Sequence, residues 1–119
     1  MAQFAVLIYE SGDPDWSTLD TEEKQQMMTE YGAFGESVAA VLRGGAALYP
    51  TTTATTLRQQ SGEIVTSDGP FAETKEVLTG FYLLECADLD EALRHARRVP
   101  AVRDGAIEVR PVIDFGASG

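Results

Sequence analysis

A polar segment near the middle of the chain carries the residue types best suited to proton transfer or ligand binding. Asp68 precedes a Gly-Pro step, and Glu73 and Lys75 follow shortly after it. The two carboxylates could serve as general bases or polar ligand contacts, and the lysine could hold a substrate carboxylate or phosphate. A structural interpretation competes, in which Asp68 accepts backbone N–H groups of its own turn and the other two residues form a solvated ion-pair cluster. The sequence leaves both interpretations open.

Polar side chains also alternate along the last predicted strand. Glu108 and Arg110 leave the same face of that strand, opposite its aliphatic residues. If this face lines an interior space, Arg110 can grip an anion in bidentate fashion, whereas at a strand edge or a partner the two residues form a structural salt bridge. The same space could be lined by Tyr9, Tyr31, Tyr82 and Glu85, with a place in the core as the alternative for the aromatic residues. The candidate ligand-binding residues are Tyr9, Tyr82, Glu108 and Arg110.

The chain has one histidine, His95, and one cysteine, Cys86. A Ser-His-Asp triad, a Cys-His pair or a His-rich metal site would have to use them, which excludes most familiar hydrolase chemistry. His95 lies off the apolar face of its predicted helix, and Cys86 lies in a strand that is apolar on both faces. We therefore predict a solvated histidine and an inert buried thiol, and we expect no metal and no cofactor.

Charge and length narrow the class of protein. The 119 residues include 9 Lys and Arg against 19 Asp and Glu, a formal charge of −10. This balance argues against nucleic acid and anionic membranes as partners, because both are bound through basic groups. The first apolar run ends at Tyr9, which is too short for a signal peptide or a membrane span. We expect one domain over residues 1–119 in the cytoplasm.

Hydrophobic periodicity predicts the elements that position these residues. Residues 4–9 predict a strand covered on both faces, and Asp20 with Glu23 predicts the capping box of a helix over 22–43, which Gly44–Gly45 would end. The remaining predicted elements are a strand at 46–49, a polar hairpin of 55–59 and 63–66 around Ser61–Gly62, a short turn at 72–77, a strand at 81–86, a helix from Asp88 to Pro100, and a strand at 106–112.

This order predicts an α+β protein, a ferredoxin-like βαββαβ subunit with an extra hairpin and with both helices on one face of its sheet. The other face carries apolar residues that one chain cannot cover. We therefore predict a homodimer in which two sheets pack face to face.

Residues 68–76, with the sequence Asp-Gly-Pro-Phe-Ala-Glu-Thr-Lys-Glu, resemble the DGPF subgroup of the YCII-related family. The similarity continues through Gly80 and covers nearly the whole chain, as one YCII-related domain. It implies a dimeric α+β barrel built from ferredoxin-like subunits. Gly69, Pro70, Phe71 and Gly80 are taken as structural residues of the motif, with Phe71 filling the core beneath the turn.

The resemblance implies less about activity. Members of this subgroup are often encoded beside alternative sigma factors in bacteria, which suggests a sigma factor as partner. Smaller YCII-related proteins carry a histidine early in the first helix, proposed to form a catalytic dyad with an acid. Residues 22–43 contain no histidine here, so that mechanism is not carried over and enzymatic activity is left open.

Two functional hypotheses follow. The leading one is that a small polar or anionic molecule binds in the cleft of a dimeric α+β barrel near Asp68, with acid–base chemistry by Asp68, Glu73 or Lys75 as a further option. The alternative is a non-enzymatic regulatory or protein-interaction module linked to an alternative sigma factor, because an acidic domain can compete with nucleic acid for a basic partner.

Overall fold

Four strands form one antiparallel sheet in the computed structural model, which describes residues 1–116. The strands and helices are β1 (Ala2–Ser11), α1 (Thr21–Ser37), β2 (Leu42–Ala47), β3 (Thr55–Gln60), β4 (Glu63–Asp68), β5 (Glu76–Cys86), α2 (Leu89–Ala96) and β6 (Ala106–Pro111). The sheet order is β2-β5-β1-β6, and β3 pairs with β4 in a separate two-stranded sheet. This mixed α+β arrangement is consistent with a ferredoxin-like fold.

The core lies between the four-stranded sheet and the helices. Period-two alternation buries Phe4, Val6 and Ile8 on one face of β1. Leu84 from β5 and Phe34 from α1 belong to the same buried cluster, to which α2 adds two alanines. The residues between them on β1 and β5 point to the opposite side, which we call the open face of the sheet.

The first helix starts as its sequence predicts and ends earlier. Asp20 caps it and accepts the backbone N–H of Glu23 at 2.8 Å, completing the capping box. The helix ends at Ser37, so the prediction of a helix to Arg43 is wrong. The chain turns at the buried Val38 because the residues after it pair with β5. No helix among residues 1–116 is long and apolar enough to cross a membrane.

The two glycines predicted to end this helix belong to β2. Gly44 and Gly45 pair with Leu83 and Tyr82 of β5. A Cβ on Gly45 would lie 2.6 Å from the Phe81 carbonyl oxygen, so the close approach of the two strands requires glycine there. The strand predicted at 46–49 therefore lies earlier in the chain, and the glycines serve strand packing in place of a helix cap.

The bounds of the later strands and of α2 also differ from the predicted ones. β5 begins at Glu76, so part of the turn predicted at 72–77 is strand. Asp88 caps α2 by accepting the Glu91 N–H at 2.9 Å, but the helix ends at Ala96, well before Pro100. β6 starts where predicted and ends one residue earlier.

Candidate functional site

Asp68 and Phe71 do not lie in a cleft. Asp68 is exposed at the end of β4, and its carboxylate makes no hydrogen bond within residues 1–116. The following turn is held instead by Gly69, whose N–H donates to Ala54 O and whose carbonyl accepts the Thr56 hydroxyl, both at 2.7 Å. Phe71 is 76% exposed, so its prediction as a core residue is wrong. The buried core is built from β1, β5 and the segments packed on them, and this loop lies outside it.

Glu73 and Lys75 lie together, but apart from Asp68. They line a hollow of about 350 Å³ with Asp13 and Thr51. The Asp13 carboxylate accepts the Thr51 N–H at 2.8 Å and the Thr51 hydroxyl at 2.5 Å, so it is already engaged. The ion pairs found among residues 1–116 do not include Lys75. The structure thus divides the predicted cluster into an exposed Asp68 and a separate polar hollow.

The four candidate ligand-binding residues lie on two different faces. Tyr9, Glu108 and Arg110 share the open face, where burial and the nearby Glu108 carboxylate raise the pKa of Tyr9. Within the described residues no ion pair joins Glu108 to Arg110. Tyr82 points to the helices, and its ring centroid lies 5.0 Å from that of Phe34. Tyr82 therefore does not line the same space as the other three.

Cys86, Glu91 and His95 form a compact cluster at α2, with ligand atoms within 4.8 Å of one another. Two of the three side chains already have structural partners: Glu91 Oε1 accepts the Ala87 N–H at 2.6 Å, and Arg98 Nη2 lies 2.6 Å from His95 Nδ1. Because Nδ1 must accept from the guanidinium, the neutral ring carries its proton on Nε2, which faces Glu91 at 3.7 Å and cannot ligate a metal in that state. Cys86 is buried as predicted, whereas His95 is only 18% exposed and not the solvated residue expected.

A groove lies between α1 and the sheet. Its floor consists of small residues, Gly45, Ala47 and Gly80, which leave about 310 Å³ beneath the helix. Met27 and Tyr82 contribute apolar walls. A Cβ on Gly80 would lie 2.9 Å from the Ala46 carbonyl oxygen, so strand pairing and the hollow both depend on the small side chains.

Glu10 lines a second hollow that adjoins this one, and we call the two hollows together the groove. Glu10 lies two residues after Ile8 on β1 and therefore shares the covered face of that strand. Its Oε2 is fully buried and, within residues 1–116, has no hydrogen-bond partner. A buried carboxylate oxygen without a partner is costly, so such an atom indicates a place where a ligand donates. This second hollow, of about 510 Å³, shares Trp16, Met27 and Tyr31 with the first.

Two aromatic side chains stand where the hollows meet. Trp16 sits on a short turn in which the Asp15 carboxylate accepts the Ser17 N–H at 3.0 Å. The Trp16 and Tyr31 ring centroids are 5.8 Å apart. Burial, followed by the neighbouring Glu10 carboxylate, raises the pKa of Tyr31 to about 12. Its hydroxyl therefore stays protonated at neutral pH and can donate a hydrogen bond.

The rim of the groove is acidic. Glu23, Glu30 and Asp104 border it together with Arg103. The Arg103 guanidinium donates to Glu30 at 2.6 Å and holds the pKa of that carboxyl below its usual range. The only rim cation is thus paired, and the remaining carboxylates favour a donor-rich or positively charged ligand over an anion.

Sequence reasoning missed Glu10 and Trp16. The signal for Glu10 was available, because period-two alternation from Ile8 puts it on the helix-facing side of β1. Trp16 lies in a polar loop, where no periodicity indicates its direction.

Comparisons with known proteins agree on the family. The sequence profile of the YCII-related domain matches residues 2–116. An uncharacterised protein of Rhizobium meliloti strain 1021 is 45% identical over 115 residues, which cover 92% of this chain and 90% of that protein.

Proposed function

The chain belongs to the YCII-related family, and we propose that it binds a small organic molecule in the groove that Glu10 lines. The observation that carries the proposal is the buried Glu10 Oε2, which has no hydrogen-bond partner among residues 1–116 although it borders a large hollow. Residues 68–76 support a place in the DGPF subgroup. Acid–base catalysis by Asp68, Glu73 or Lys75 stays a hypothesis, and none of these residues borders the groove.

The ligand class follows from the lining. The apolar floor and the aromatic pair Trp16–Tyr31 suit a flat or aliphatic body. Glu10 suits an ammonium or hydroxyl donor, and an ammonium also gains from the aromatic faces. An anion would meet the Glu10, Glu23 and Glu30 carboxylates, so we favour a cationic or neutral polar ligand over the anionic one first considered.

Calorimetric titration with phenethylamine and with 3-phenylpropionate tests this proposal. We expect wild type to bind the amine and not the carboxylate. Glu10→Gln keeps the shape but removes the charge, so it should weaken amine binding by about tenfold or more, since a charge-assisted hydrogen bond contributes about 1.5–3 kcal/mol.

Matched controls separate this site from the loop candidates. Glu73→Gln removes one exposed acid and Asp68→Ala removes another, and both should bind the amine like wild type. Equal binding by Glu10→Gln and wild type, or loss of binding in Asp68→Ala alone, would contradict the groove assignment.

We also propose that the functional unit is a homodimer in which open faces meet, as in a dimeric α+β barrel. Leu7 lies opposite Phe81, and Ala5 opposite Leu83, on that face. These apolar side chains are only half-buried, and both α1 and α2 pack on the other face of the sheet, which favours burial against a second copy.

A second candidate function is an interaction module for an alternative sigma factor. The net charge of −10 favours it, since an acidic surface attracts a basic nucleic-acid-binding partner. A sigma factor retained on the immobilised protein at low salt and released at high salt would support this function, and its absence at low salt would argue against it.

A further inference from the structure

Among residues 1–116, the hairpin of β3 and β4 forms a sheet of its own, separate from the four-stranded sheet. Of its 12 residues, 11 are exposed and Thr56 is partly buried. The turn between its strands is well built, with Ser61 at φ 50° and Gly62 at φ 81°, both in the left-handed region that a type I′ hairpin turn uses. An isolated two-stranded hairpin is marginally stable in water, so a well-formed exposed one needs another surface.

One face of this hairpin is apolar at its centre. In the β3–β4 register Gln59 lies opposite Ile64, so Leu57 and Ile64 share a face. Both are 66% exposed. The other face carries Arg58 and Glu63 around Val65. We call the hairpin face that carries Leu57 and Ile64 the arm face. Its apolar side chains would be removed from water on association.

The accessible surface of the chain is larger than that of a compact protein of the same mass, and the difference exceeds the area that one standard interface buries. Its accessible area is 8236 Å², whereas a compact protein of 12.8 kDa exposes roughly 6,300 Å². The excess is thus about 1,900 Å², against about 800 Å² that each partner buries in a standard interface. The radius of gyration of 16.5 Å likewise exceeds the roughly 13.5 Å of a compact chain of this length.

We propose that the arm face packs on a second copy of this chain, an inference that rests on the homodimer proposed above. The excess area is larger than one face-to-face contact of standard size uses. Leu57 and Ile64 are among the large apolar side chains exposed on this surface, and the arm face would give the dimer a second, separate contact. The arm then acts as a clasp between subunits, and the hairpin becomes ordered by association.

Sedimentation equilibrium of matched double variants tests the clasp. L57K with I64K adds two charges to the arm face, and Q60K with S67K adds two charges to the opposite face of the same hairpin. We expect the first pair to raise the dimer dissociation constant by about tenfold or more. The second pair should change it by less than about threefold.

Hydrogen exchange provides a second measurement. Amides of residues 55–68 should lose protection when wild type is diluted below its dissociation constant, while those of β1 and β5 keep theirs. An unchanged dissociation constant in L57K/I64K, together with concentration-independent exchange of the hairpin, would overturn the clasp and leave the homodimer standing. A monomeric wild type would overturn both. Phenethylamine titration of the same variants reports separately on the groove.

Discussion

At the scale of single residues, the side chains with the most distinctive environments are Glu10 and Tyr31, and not those of the polar loop. The sequence does not indicate Glu10 as a site residue, because Glu10 begins a turn-rich segment in which an acid is ordinarily solvated. In the fold, Glu10 is partly buried beside Tyr31 of α1 and the segment around Ala101, and such tertiary contacts cannot be read from composition. Conversely, the Gly-Pro step after Asp68 makes this residue a candidate site residue in the sequence, yet in the structure Asp68 is exposed.

The first prediction concerns the stability of unliganded Glu10→Gln. If the carboxylate serves a ligand, replacing it removes an oxygen that has no partner among residues 1–116, so the free energy of unfolding should rise by about 1 kcal/mol while amine binding weakens. Urea denaturation measures this change. A loss of stability of similar size would instead assign Glu10 a structural role.

The second prediction concerns alkaline pH. The pKa of Tyr31 is raised to about 12 in the folded chain, so the unfolded chain releases this proton first as pH rises above its ordinary value near 10. The stabilising contribution of the neutral hydroxyl is complete below about pH 10 and is lost as pH rises toward about 12. Tyr31→Phe should therefore lose less stability than wild type between these values.

Denaturation curves across that range check the difference, with Tyr49→Phe as the control because Tyr49 is 71% exposed. Parallel declines in Tyr31→Phe and wild type would show that the phenol is not responsible.

At the scale of elements, local signals predicted the two helix starts and the order of strands, and non-local contacts decided the boundaries that were missed. Capping by Asp20 and Asp88 depends on residues three positions away, so it is visible in sequence. The end of α1 depends on pairing of Leu42 with Leu84, a contact across the fold. The Gly44–Gly45 pair fits a helix cap and a close strand contact equally well until the partner strand is known.

Glycine-to-alanine substitutions test that distinction. Gly45→Ala should destabilise the fold by about 2 kcal/mol, because its Cβ meets the Phe81 carbonyl oxygen at 2.6 Å. Gly32→Ala is the matched control in α1: no atom lies within 4 Å of its Cβ, so it should stabilise by about 0.5–1 kcal/mol. Chemical denaturation of both measures the contrast, and a neutral Gly45→Ala would remove the close-approach explanation.

At the scale of the whole molecule, the shape is flat, with extents of 47 × 45 × 20 Å. Within residues 1–116, helices cover one face of the four-stranded sheet and not the other, and the hairpin forms a separate sheet. Because β1 and β5 are apolar on both faces, the sequence predicts a second copy on the open face, and the homodimer stays a prediction. The hairpin is polar at most positions, which predicts an arm or edge element outside the core, and its residues are indeed exposed; the same polar residues do not distinguish solvent from an interface.

The open-face dimer makes its own prediction. Leu83→Lys places a charge at the centre of that face and should convert the protein to a monomer at micromolar concentration, as measured by sedimentation velocity. Leu89→Lys, at an exposed position of α2, adds the same charge on the helical side and should leave the oligomer intact. If Leu83→Lys still forms dimers, the interface does not lie on the open face.

Cys86, fully buried and the only cysteine of the chain, makes the protein convenient for site-directed labelling. Burial also raises the pKa of its thiol, which lowers its reactivity toward maleimides and other thiol reagents. A cysteine introduced at an exposed position such as Glu63 would therefore be the only thiol open to a fluorophore or spin label. Distances between two such labels in a dimer could be measured without first removing the native cysteine.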